Sequence, residues 1–447
     1  MSSIPEPGSL FWSESKEAIP ADELRKLEFW KLRQLLSYVT ETSPFYRRMW
    51  DRSGFNPDQV RTIEDLARIP LITKNDLRKS QAEGGRLGGH CCAPLSDVVR
   101  VQGTSGTTGQ LVYTGLTKRD AEVWAELFAR HAWIGGLRPG DSIINPFNFA
   151  LSVGGLSECI SAEKMGLTVI PVPFSSVSIE KLIQIVKDLK PVVLCATPSL
   201  AIFLQEQIGA YLGVEPIELG FKKGFITGEV FSEQDRRKIE NAWGIDARNY
   251  YGLTEVAPDL AAECHEKSGM HFVGQGYVLL ELIDWETGSP KSLEDGVIGE
   301  LVFTTLDREC CPVIRYRTGD VAQVWTSPCK CGRNTPRVKI IGRTDDVVKI
   351  GDIQVFPSAI QEIVASFGPE TTGEMRIVLD KNPVHRNTSR TLKVKVEYGQ
   401  GVSKNRLLAL ESEIREKVET ALGLETSVFL VPPYSLPRSN FKGRYYE

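Results

Sequence analysis

The sequence lacks the features of a disulfide-bonded, fibrous or disordered protein. It has only 9 cysteines in 447 residues, and a sparse, odd set of thiols does not build a disulfide scaffold. Hydrophobic residues make up 41% and charged residues 25%, which is ordinary globular usage and excludes a collagen-like or disordered chain. Because domains hold about 100–200 residues, a chain of 447 residues predicts two to four of them.

Long apolar runs and a surplus of basic charge are also missing. Long uncharged stretches, such as residues 142–157 and 166–179, carry Pro, Asn or Gly and are shorter than the ~20 apolar residues that span a bilayer. Lys plus Arg is 53 against 57 for Asp plus Glu, with no basic stripe. We therefore expect neither membrane nor nucleic acid as a partner. The opening MSSIPEPGSL lacks the basic and apolar regions of a secretory signal, so we predict a cytoplasmic protein.

The apolar pattern predicts an α/β fold whose large N-terminal domain has mixed or parallel sheets flanked by helices. Amphipathic helices such as 179–189 alternate with short apolar runs, a pattern typical of a parallel sheet. Earlier in the chain, apolar periodicity predicts helices over 21–39 and 62–69. Strands are predicted at 142–144, 168–171, 192–196, 224–227 and 247–251.

A β subdomain and a small C-terminal α+β domain are predicted to follow. The β subdomain rests on the strand-like runs 277–283, 300–305 and 321–325. The C-terminal domain is predicted from helices 358–367 and 404–422 and from strands 375–379, 391–398 and 427–430. We place the boundaries so that residues 1–95 form a helical cap, 96–342 the core with the β subdomain, and 343–447 a small mobile lid.

One segment consists only of glycine and hydroxyl-bearing residues. Glycines let backbone N–H groups turn toward an anion, and hydroxyls add further donors, so such a segment suits a polyphosphate. It is not a P-loop, since the lysine of that motif is absent, and a solvated loop is the alternative. Its members are Thr104, Ser105, Gly106, Thr107, Thr108 and Gly109.

Several short motifs follow this segment in a fixed order. Each alone is compatible with an ordinary turn. They are Gly228-Glu229, Tyr-Gly-Leu-Thr-Glu at 251–255, Phe-Thr-Thr-Leu at 303–306, Tyr-Arg-Thr-Gly-Asp at 316–320, Cys-Lys-Cys-Gly-Arg at 329–333, Gly-Arg-Thr-Asp-Asp at 342–346, Val-Phe-Pro at 355–357 and Leu-Pro-Arg-Ser at 436–439. Together they resemble the adenylate-forming superfamily of acyl-CoA synthetases, and most closely its phenylacetate-CoA ligase branch, over roughly residues 32–444.

The resemblance implies a two-step reaction with ATP, Mg²⁺ and coenzyme A (CoA). A carboxylate attacks the α-phosphate of ATP to give acyl-AMP and pyrophosphate, and a thiol then displaces AMP. Joining two anions needs neutralisation and alignment more than a nucleophilic side chain. The resemblance thus implies that the core binds AMP and that the segment 104–109 holds the pyrophosphate end of ATP.

Individual residues receive roles from the same resemblance. Thr254 would bond the α-phosphate and Glu255 would hold Mg²⁺, which prefers oxygen ligands. Asp320 would accept the ribose hydroxyls, and Arg343 would contact ribose or phosphate. The remaining residues implied around AMP and the acyl group are Gly228, Glu229, Asn249, Tyr250, Tyr251 and Gly252.

Two C-terminal residues are implied in a change of domain orientation. Lys442, five residues after Pro437, matches the lysine that bridges carboxylate and α-phosphate during adenylation, although Phe441 stands where a glycine usually precedes it. Asp345 matches the hinge about which the lid turns so that the thiol can enter.

The resemblance also implies an acyl pocket, a short apolar slot suited to a planar ring. Its members are Phe147, Phe149, Ala150, Gly154, Ile226 and Pro258. Asn145 and Asn148 either meet a polar group on that ring or cap a loop. The residues 274–277, Gly-Gln-Gly-Tyr, replace the Glu-Asp-His-Phe of phenylacetate ligases, so phenylacetate is not assumed.

We therefore predict an aryl-acid CoA ligase, either monomeric or homodimeric. One alternative is an adenylating enzyme that passes an aryl or small hydroxy or amino acid to a carrier-protein thiol or an amine. Another is a non-catalytic nucleotide-binding protein, against which the presence of Lys442, Glu255 and Asp320 argues.

A structural zinc site is predicted around Cys329 and Cys331, which stand one residue apart in a turn. A tetrahedral site needs two more ligands. Cys264 and His271 are the candidates, with His265 as the alternative donor. The remaining interpretation is a set of reduced thiols without metal.

Overall fold

The structure is a computed structural model that describes residues 4–6, 8–104, 111–350, 353–378, 391–437 and 445. None of the helices in these ranges is both long and apolar enough to cross a bilayer. The helices are α1 (Glu14–Glu17), α2 (Ala21–Thr42), α3 (Pro44–Ser53), α4 (Lys74–Glu83), α5 (Lys118–Ile134), α6 (Leu156–Met165), α7 (Ile179–Leu189), α8 (Pro198–Leu212), α9 (Glu233–Trp243), α10 (Pro357–Ala365) and α11 (Lys404–Leu422).

Most of the strands join one large mixed sheet. Its order is β11-β10-β12-β13-β14-β9-β8-β7-β6-β5-β3-β4, and three smaller sheets are β1-β2, β15-β16 and β17-β18-β19. The strands are β1 (Val98–Thr104), β2 (Val112–Thr117), β3 (Ser142–Asn145), β4 (Thr168–Pro171), β5 (Val193–Ala196), β6 (Lys223–Ile226), β7 (Asp246–Leu253), β8 (Ala257–Glu263), β9 (Met270–Phe272), β10 (Val278–Ile283), β11 (Pro290–Lys291), β12 (Ile298–Thr305), β13 (Tyr316–Trp325), β14 (Arg337–Arg343), β15 (Val348–Ile350), β16 (Ile353–Val355), β17 (Thr371–Ile377), β18 (Thr391–Tyr398) and β19 (Glu425–Val431).

The large sheet changes character at β7. This strand runs parallel to β6 and antiparallel to β8, so it belongs to both the parallel half and the antiparallel half. The mixed α/β fold expected from the sequence is confirmed, and the five predicted strands correspond to β3 through β7. The carboxyl ends of parallel strands meet at one edge, where ligands of such sheets bind.

One helix prediction is wrong in type. The apolar run at 62–69 forms a six-residue 3₁₀ helix, Ile63–Arg68, instead of an α-helix. Pro70 follows almost at once, and the residue before a proline disfavours helical backbone, so the segment has no room for a longer helix.

The C-terminal residues have their own core. The sheet β17-β18-β19 packs against α10 and α11, and the buried side chains Ile360, Leu392, Leu410 and Ile414 belong to a cluster separate from those of the preceding chain. These helices and strands agree with the small α+β unit expected from the sequence.

Candidate functional site

Asp320 and Arg343 face each other across two strands of the antiparallel half. They are register partners on β13 and β14, and Arg343 Nη1 lies 2.5 Å from Asp320 Oδ1. The Tyr251 hydroxyl, from β7, donates to Asp320 Oδ2 at 2.7 Å. Burial and this carboxylate raise the pKa of Tyr251, so the phenol stays protonated and holds the carboxylate in place.

Arg343 also contacts the predicted hinge. Its Nε donates to Asp345 Oδ1 at 2.8 Å. Burial alone would lower the pKa of Arg343, but the carboxylates of Asp320 and Asp345 raise it. A permanently charged guanidinium therefore stands where the predicted lid begins.

Thr254 and Glu255 form a buried turn directly after β7. Gly252 permits this turn, since a Cβ there would overlap the Pro258 carbonyl on β8. The exposed fractions of Thr254 and Glu255 are 8% and 3%. Glu255 Oε1 lies 3.1 Å from Nζ of Lys74, the first residue of α4.

Lys74 is a site residue that sequence reasoning missed. It comes from the helical N-terminal region, and no motif marks it. On its other side Glu255 neighbours Tyr316, since burial and the Glu255 carboxylate raise the pKa of that phenol. Glu255 therefore stands between the Lys74 ammonium group and the protonated Tyr316 hydroxyl. The carboxylate is held by both neighbours, which fixes its position.

Gly228 and Glu229 turn the chain after β6. Gly228 has φ +85°, a left-handed conformation that favours glycine. Glu229 Oε2 accepts hydrogen bonds from Ser199 N at 3.1 Å and from Ser199 Oγ at 2.6 Å. Ser199 lies in the first turn of α8, so this carboxylate stands at a helix N-terminus, where negative charge is favoured.

Tyr250 and Asn249 occupy different surroundings. The backbone N–H of Asn249 donates to Glu263 Oε2 at 2.8 Å. The Tyr250 hydroxyl donates to the Glu158 carboxyl, 3.0 Å from each oxygen, and its ring stacks on His131. The side chain of Tyr250 therefore points to the opposite face of β7 from Tyr251.

A buried polar cluster under β7 was not foreseen from the sequence. His131 Nδ1 lies 3.0 Å from Asp259 Oδ1, beside the Tyr250–Glu158 pair. Burial and, to a smaller extent, the neighbouring Asp259 raise the pKa of Glu158, and burial also raises the pKa of Asp259. Burial lowers the pKa of His131 to about 3. Burial therefore disfavours the charged form of each of these three groups.

The loop of the predicted acyl pocket is closed by its own polar groups. Asn145 Nδ2 donates to the Gly154 carbonyl at 2.8 Å, and Asn145 Oδ1 accepts from Phe147 N at 2.9 Å. Asn148 Oδ1 accepts from Ser175 Oγ at 2.6 Å. Of the two roles left open for these asparagines, loop capping accounts for the bonds in the structure.

The aromatic residues of this loop pack on its glycines. A Cβ at Gly154 would stand 3.3 Å from the Phe147 ring and 3.7 Å from Glu158 Oε1, and one at Gly155 would meet the Phe149 ring at 2.8 Å. The loop therefore borders the buried cluster below β7. Of the other predicted pocket members, Ile226 and Pro258 are buried and Ala150 is exposed.

Part of the predicted site lies outside the described residues. This applies to Ser105, Gly106, Thr107, Thr108, Gly109 and Lys442. Thr104 ends β1 opposite Val112, so the hairpin β1–β2 flanks the glycine-rich segment. Near the C-terminus, the Tyr445 carbonyl accepts a hydrogen bond from Ile377 N on β17 at 2.7 Å, and burial and the carboxylates of Asp346 and Glu229 raise the pKa of its phenol.

Four predicted metal ligands meet between β9 and the turn after β13. The donor atoms of Cys264, His271, Cys329 and Cys331 all lie within 4.8 Å of one another. Cys264 Sγ and Cys329 Sγ are 3.8 Å apart, and Cys331 Sγ is 3.4 Å from His271 Nε2. These separations and this donor set fit a tetrahedral zinc ion.

The alternative ligand His265 is not part of this cluster. Its side chain is 64% exposed and pairs with Glu266 at 3.2 Å. His271 Nδ1 lies 3.2 Å from Thr335 Oγ1, which orients Nε2 toward the cysteines in the way that ligand histidines are usually held.

Comparisons with known proteins cover nearly the whole chain. The AMP-binding enzyme family model matches residues 54–305, and the AMP-binding enzyme C-terminal domain model matches 352–445. Phenylacetate-coenzyme A ligase of Thermus thermophilus is 35% identical over 96% of this chain and 97% of its own length. The Escherichia coli enzyme of that name is 32% identical over 95% of each chain.

The chain belongs to the phenylacetate-CoA ligase family of AMP-binding enzymes. The family and enzyme class predicted from the motifs are thereby confirmed. The chain is an acid–thiol ligase, and its reaction class is ATP-dependent activation of a carboxylic acid followed by transfer to CoA.

Solved structures of one relative show the same fold in several states. 2-Hydroxyisobutyryl-CoA ligase with its acyl-AMP in the postadenylation state has a TM-score of 0.91, at 30% identity over 100% of this chain and 94% of that one. With CoA in the thioesterification state, the same enzyme has a TM-score of 0.73 at the same identity and coverage. The domain arrangement of the present chain therefore resembles the postadenylation state of that relative more than its thioesterification state.

Proposed function

We propose that this ligase activates an aryl carboxylic acid as acyl-AMP and transfers the acyl group to CoA. The observation that carries the proposal is that Thr254 and Glu255 directly follow β7, the strand whose Tyr251 hydrogen-bonds to Asp320 beside Arg343. Relatives named as CoA ligases, aligned over almost the whole chain, favour CoA over a carrier protein as the acceptor.

The proposed roles follow from the charges at this junction. Asp320, held by Tyr251 and Arg343, would accept the ribose hydroxyls, and Arg343 would contact ribose or phosphate. Thr254 would donate to the α-phosphate. Glu255 would hold Mg²⁺, whose charge would offset that of the phosphates when it is bound. No nucleophilic side chain is required.

An aryl acid is favoured by the aromatic walls of the loop after β3. Phe147 and Phe149 pack on glycines, and Ile226 stands at the end of β6 beside Asn249. A small hydroxy acid is the second candidate, since the relative with a TM-score of 0.91 bears the name 2-hydroxyisobutyryl-CoA ligase. Glu158, whose carboxyl lies beside this loop, would hydrogen-bond a substrate hydroxyl there.

A pyrophosphate-release screen tests the proposal. Aromatic acids, with and without ring hydroxyl or amino groups, are compared with small aliphatic and hydroxy acids, each with and without CoA. We expect an aryl acid to give the highest kcat/KM and an acyl-CoA product detectable by mass spectrometry. A preference for small hydroxy acids would favour the second candidate. Pyrophosphate release without any thioester to CoA would contradict CoA as the acceptor.

Asp320→Asn is expected to raise the KM for ATP by about 10- to 100-fold, the effect of losing a hydrogen bond to a charged group. The change keeps the shape but removes the negative charge opposite Arg343. Steady-state pyrophosphate release at varied ATP measures the effect, and the KM for the acid serves as an internal control. An unchanged KM for ATP would contradict the ribose role.

We also propose that Cys264, His271, Cys329 and Cys331 bind a structural zinc ion. The ion would connect the end of β8 and β9 with the turn between β13 and β14, in the antiparallel half of the sheet. Its role would be structural, since four protein ligands leave no open coordination position.

Elemental analysis of protein purified without added metal is expected to give about one zinc per chain. Cys331→Ser, at the partly exposed ligand, should lose that zinc and lower the Tm, because zinc binding contributes directly to folding. Cys159→Ser, at a buried cysteine outside the cluster, is the matched control. Zinc-free wild-type protein of equal stability would contradict the site.

A further inference from the structure

Three thiols meet at a place that the proposed reaction does not use. Cys91 follows α4, and Cys310 and Cys311 lie between β12 and β13. Cys91 Sγ is 3.6 Å from Cys310 Sγ, and Cys310 Sγ is 3.8 Å from Cys311 Sγ. All three sulfur atoms lie within 4.8 Å of one another.

The backbone around these thiols is fixed by hydrogen bonds from three elements. Cys92 N donates to the Cys310 carbonyl at 2.7 Å, and Cys310 N donates to Asp120 Oδ2 at 3.0 Å. Gly115 N, on β2, donates to Cys311 Sγ at 3.4 Å. A Cβ at Gly115 would overlap the Cys310 sulfur, so the glycine leaves room for the cluster.

The cluster is reachable from solvent through one member only. Cys310 and Cys311 are buried, with exposed fractions of 0% and 1%, whereas Cys91 is partly exposed. A metal ion would therefore enter the cluster at Cys91.

We propose that Cys91, Cys310 and Cys311 bind one soft, thiophilic metal cation of the Cu⁺ or Cd²⁺ type. Metal–sulfur bonds of about 2.3 Å at near-tetrahedral angles place sulfurs about 3.8 Å apart. The Cys91–Cys310 and Cys310–Cys311 separations, 3.6 and 3.8 Å, match that spacing and the 3.8 Å between Cys264 and Cys329.

The donor set selects the class of ion. Three sulfur ligands without a carboxylate favour soft cations and exclude Mg²⁺ or Ca²⁺ as occupants. Binding displaces the protons of the coordinating thiols into solvent, and no electron transfer is involved. The site adjoins β2 through Gly115 and is separate from the cluster of Cys264, His271, Cys329 and Cys331.

Titration of the reduced, full-length protein with Cd²⁺ alone tests this site. The bound Cd²⁺ is counted by elemental analysis after desalting, in wild type and in Cys91→Ser, Cys310→Ser and Cys92→Ser. We expect Cys91→Ser and Cys310→Ser each to bind one equivalent fewer than wild type. Cys92→Ser should match wild type, because its sulfur lies outside the cluster. Comparing variants makes the result independent of zinc at the other site.

A second readout is the Tm as a function of Cd²⁺ concentration. A ligand that binds only the folded state raises the Tm by mass action, so the rise should be larger in wild type and Cys92→Ser than in Cys91→Ser. If Cys310→Ser fails to fold, the partly exposed Cys91→Ser decides the question. Equal Cd²⁺ stoichiometry in wild type and Cys91→Ser would overturn the proposal, as would the loss of one equivalent in Cys92→Ser.

Discussion

Glu255→Gln is expected to lower the rate of acyl-AMP formation by about two to three orders of magnitude, the usual effect of removing one group that stabilises transition-state charge. The amide keeps the shape of the side chain but loses the charge that would hold Mg²⁺. Since Glu255 is 3% exposed and already placed beside Lys74, the substitution should change charge without opening a cavity. Single-turnover formation of acyl-AMP measures the effect.

The ion pair with Lys74 supplies the matched control for this prediction. If Glu255 holds Mg²⁺, Glu255→Gln should raise the Mg²⁺ concentration needed for half-maximal rate. Lys74→Met removes the other partner of the pair and should not raise it. If Glu255 serves only to pair with Lys74, both variants should lose activity alike at every Mg²⁺ concentration. Near-normal adenylation by folded Glu255→Gln would also contradict the metal role.

Lys442→Ala is expected to separate the two half-reactions. The ammonium group would neutralise charge as the carboxylate meets the α-phosphate, and it would have no such role once acyl-AMP exists. We therefore expect acyl-AMP formation to fall by at least about two orders of magnitude. Supplied acyl-AMP and CoA should still give thioester at close to the wild-type rate. Each half-reaction is measured separately by rapid quench.

Two observations on described residues motivate this prediction. The described residue Tyr445, three positions later, has its pKa raised by burial and by the carboxylates of Asp346 and Glu229. Glu229 belongs to the turn after β6, at the same edge of the sheet as Thr254. The chain also has a higher TM-score with the postadenylation state of a relative than with its thioesterification state. We propose that residues 343–447 form the lid that changes orientation between them.

Asp345→Pro is the complementary variant. The turn after β14 is held by Thr344 N and Asp346 N, so a proline at 345 removes neither of these bonds while it fixes φ at the proposed hinge. Thioester formation should slow more than adenylation, the reverse of Lys442→Ala. Equal loss of both half-reactions in Lys442→Ala would contradict the alternation of the lid.

The sequence predicted most of the parallel half of the sheet and the positions of the charged motifs. Each of the strands β3 to β6 contains a short apolar run that can be recognised without knowledge of its partner strand, whereas β7 also carries Asp, Arg and Asn. Thr254, Asp320 and Arg343 could be located because motifs surround them. The four zinc-type ligands were predicted from an unusual Cys-x-Cys turn and two donors in a single earlier segment.

Contacts between distant segments could not be predicted in the same way. Lys74 meets Glu255 only because α4 packs near β13, and a single lysine at a helix start carries no motif. Glu158 on α6 and His131 on α5 belong to no motif, and their partners Tyr250 and Asp259 lie on other elements. The grouping of Cys91 with Cys310 and Cys311 likewise depends on two loops far apart in sequence.

The exchange of labelled pyrophosphate into ATP tests the central claim of a reversible adenylation step most directly. With a substrate acid and Mg²⁺ but no CoA, the account predicts exchange that depends on the acid and is reduced by about two to three orders of magnitude in Glu255→Gln. Thioester formation should require the later addition of CoA. Exchange that is absent with an acid known to give acyl-CoA product would contradict the acyl-AMP intermediate.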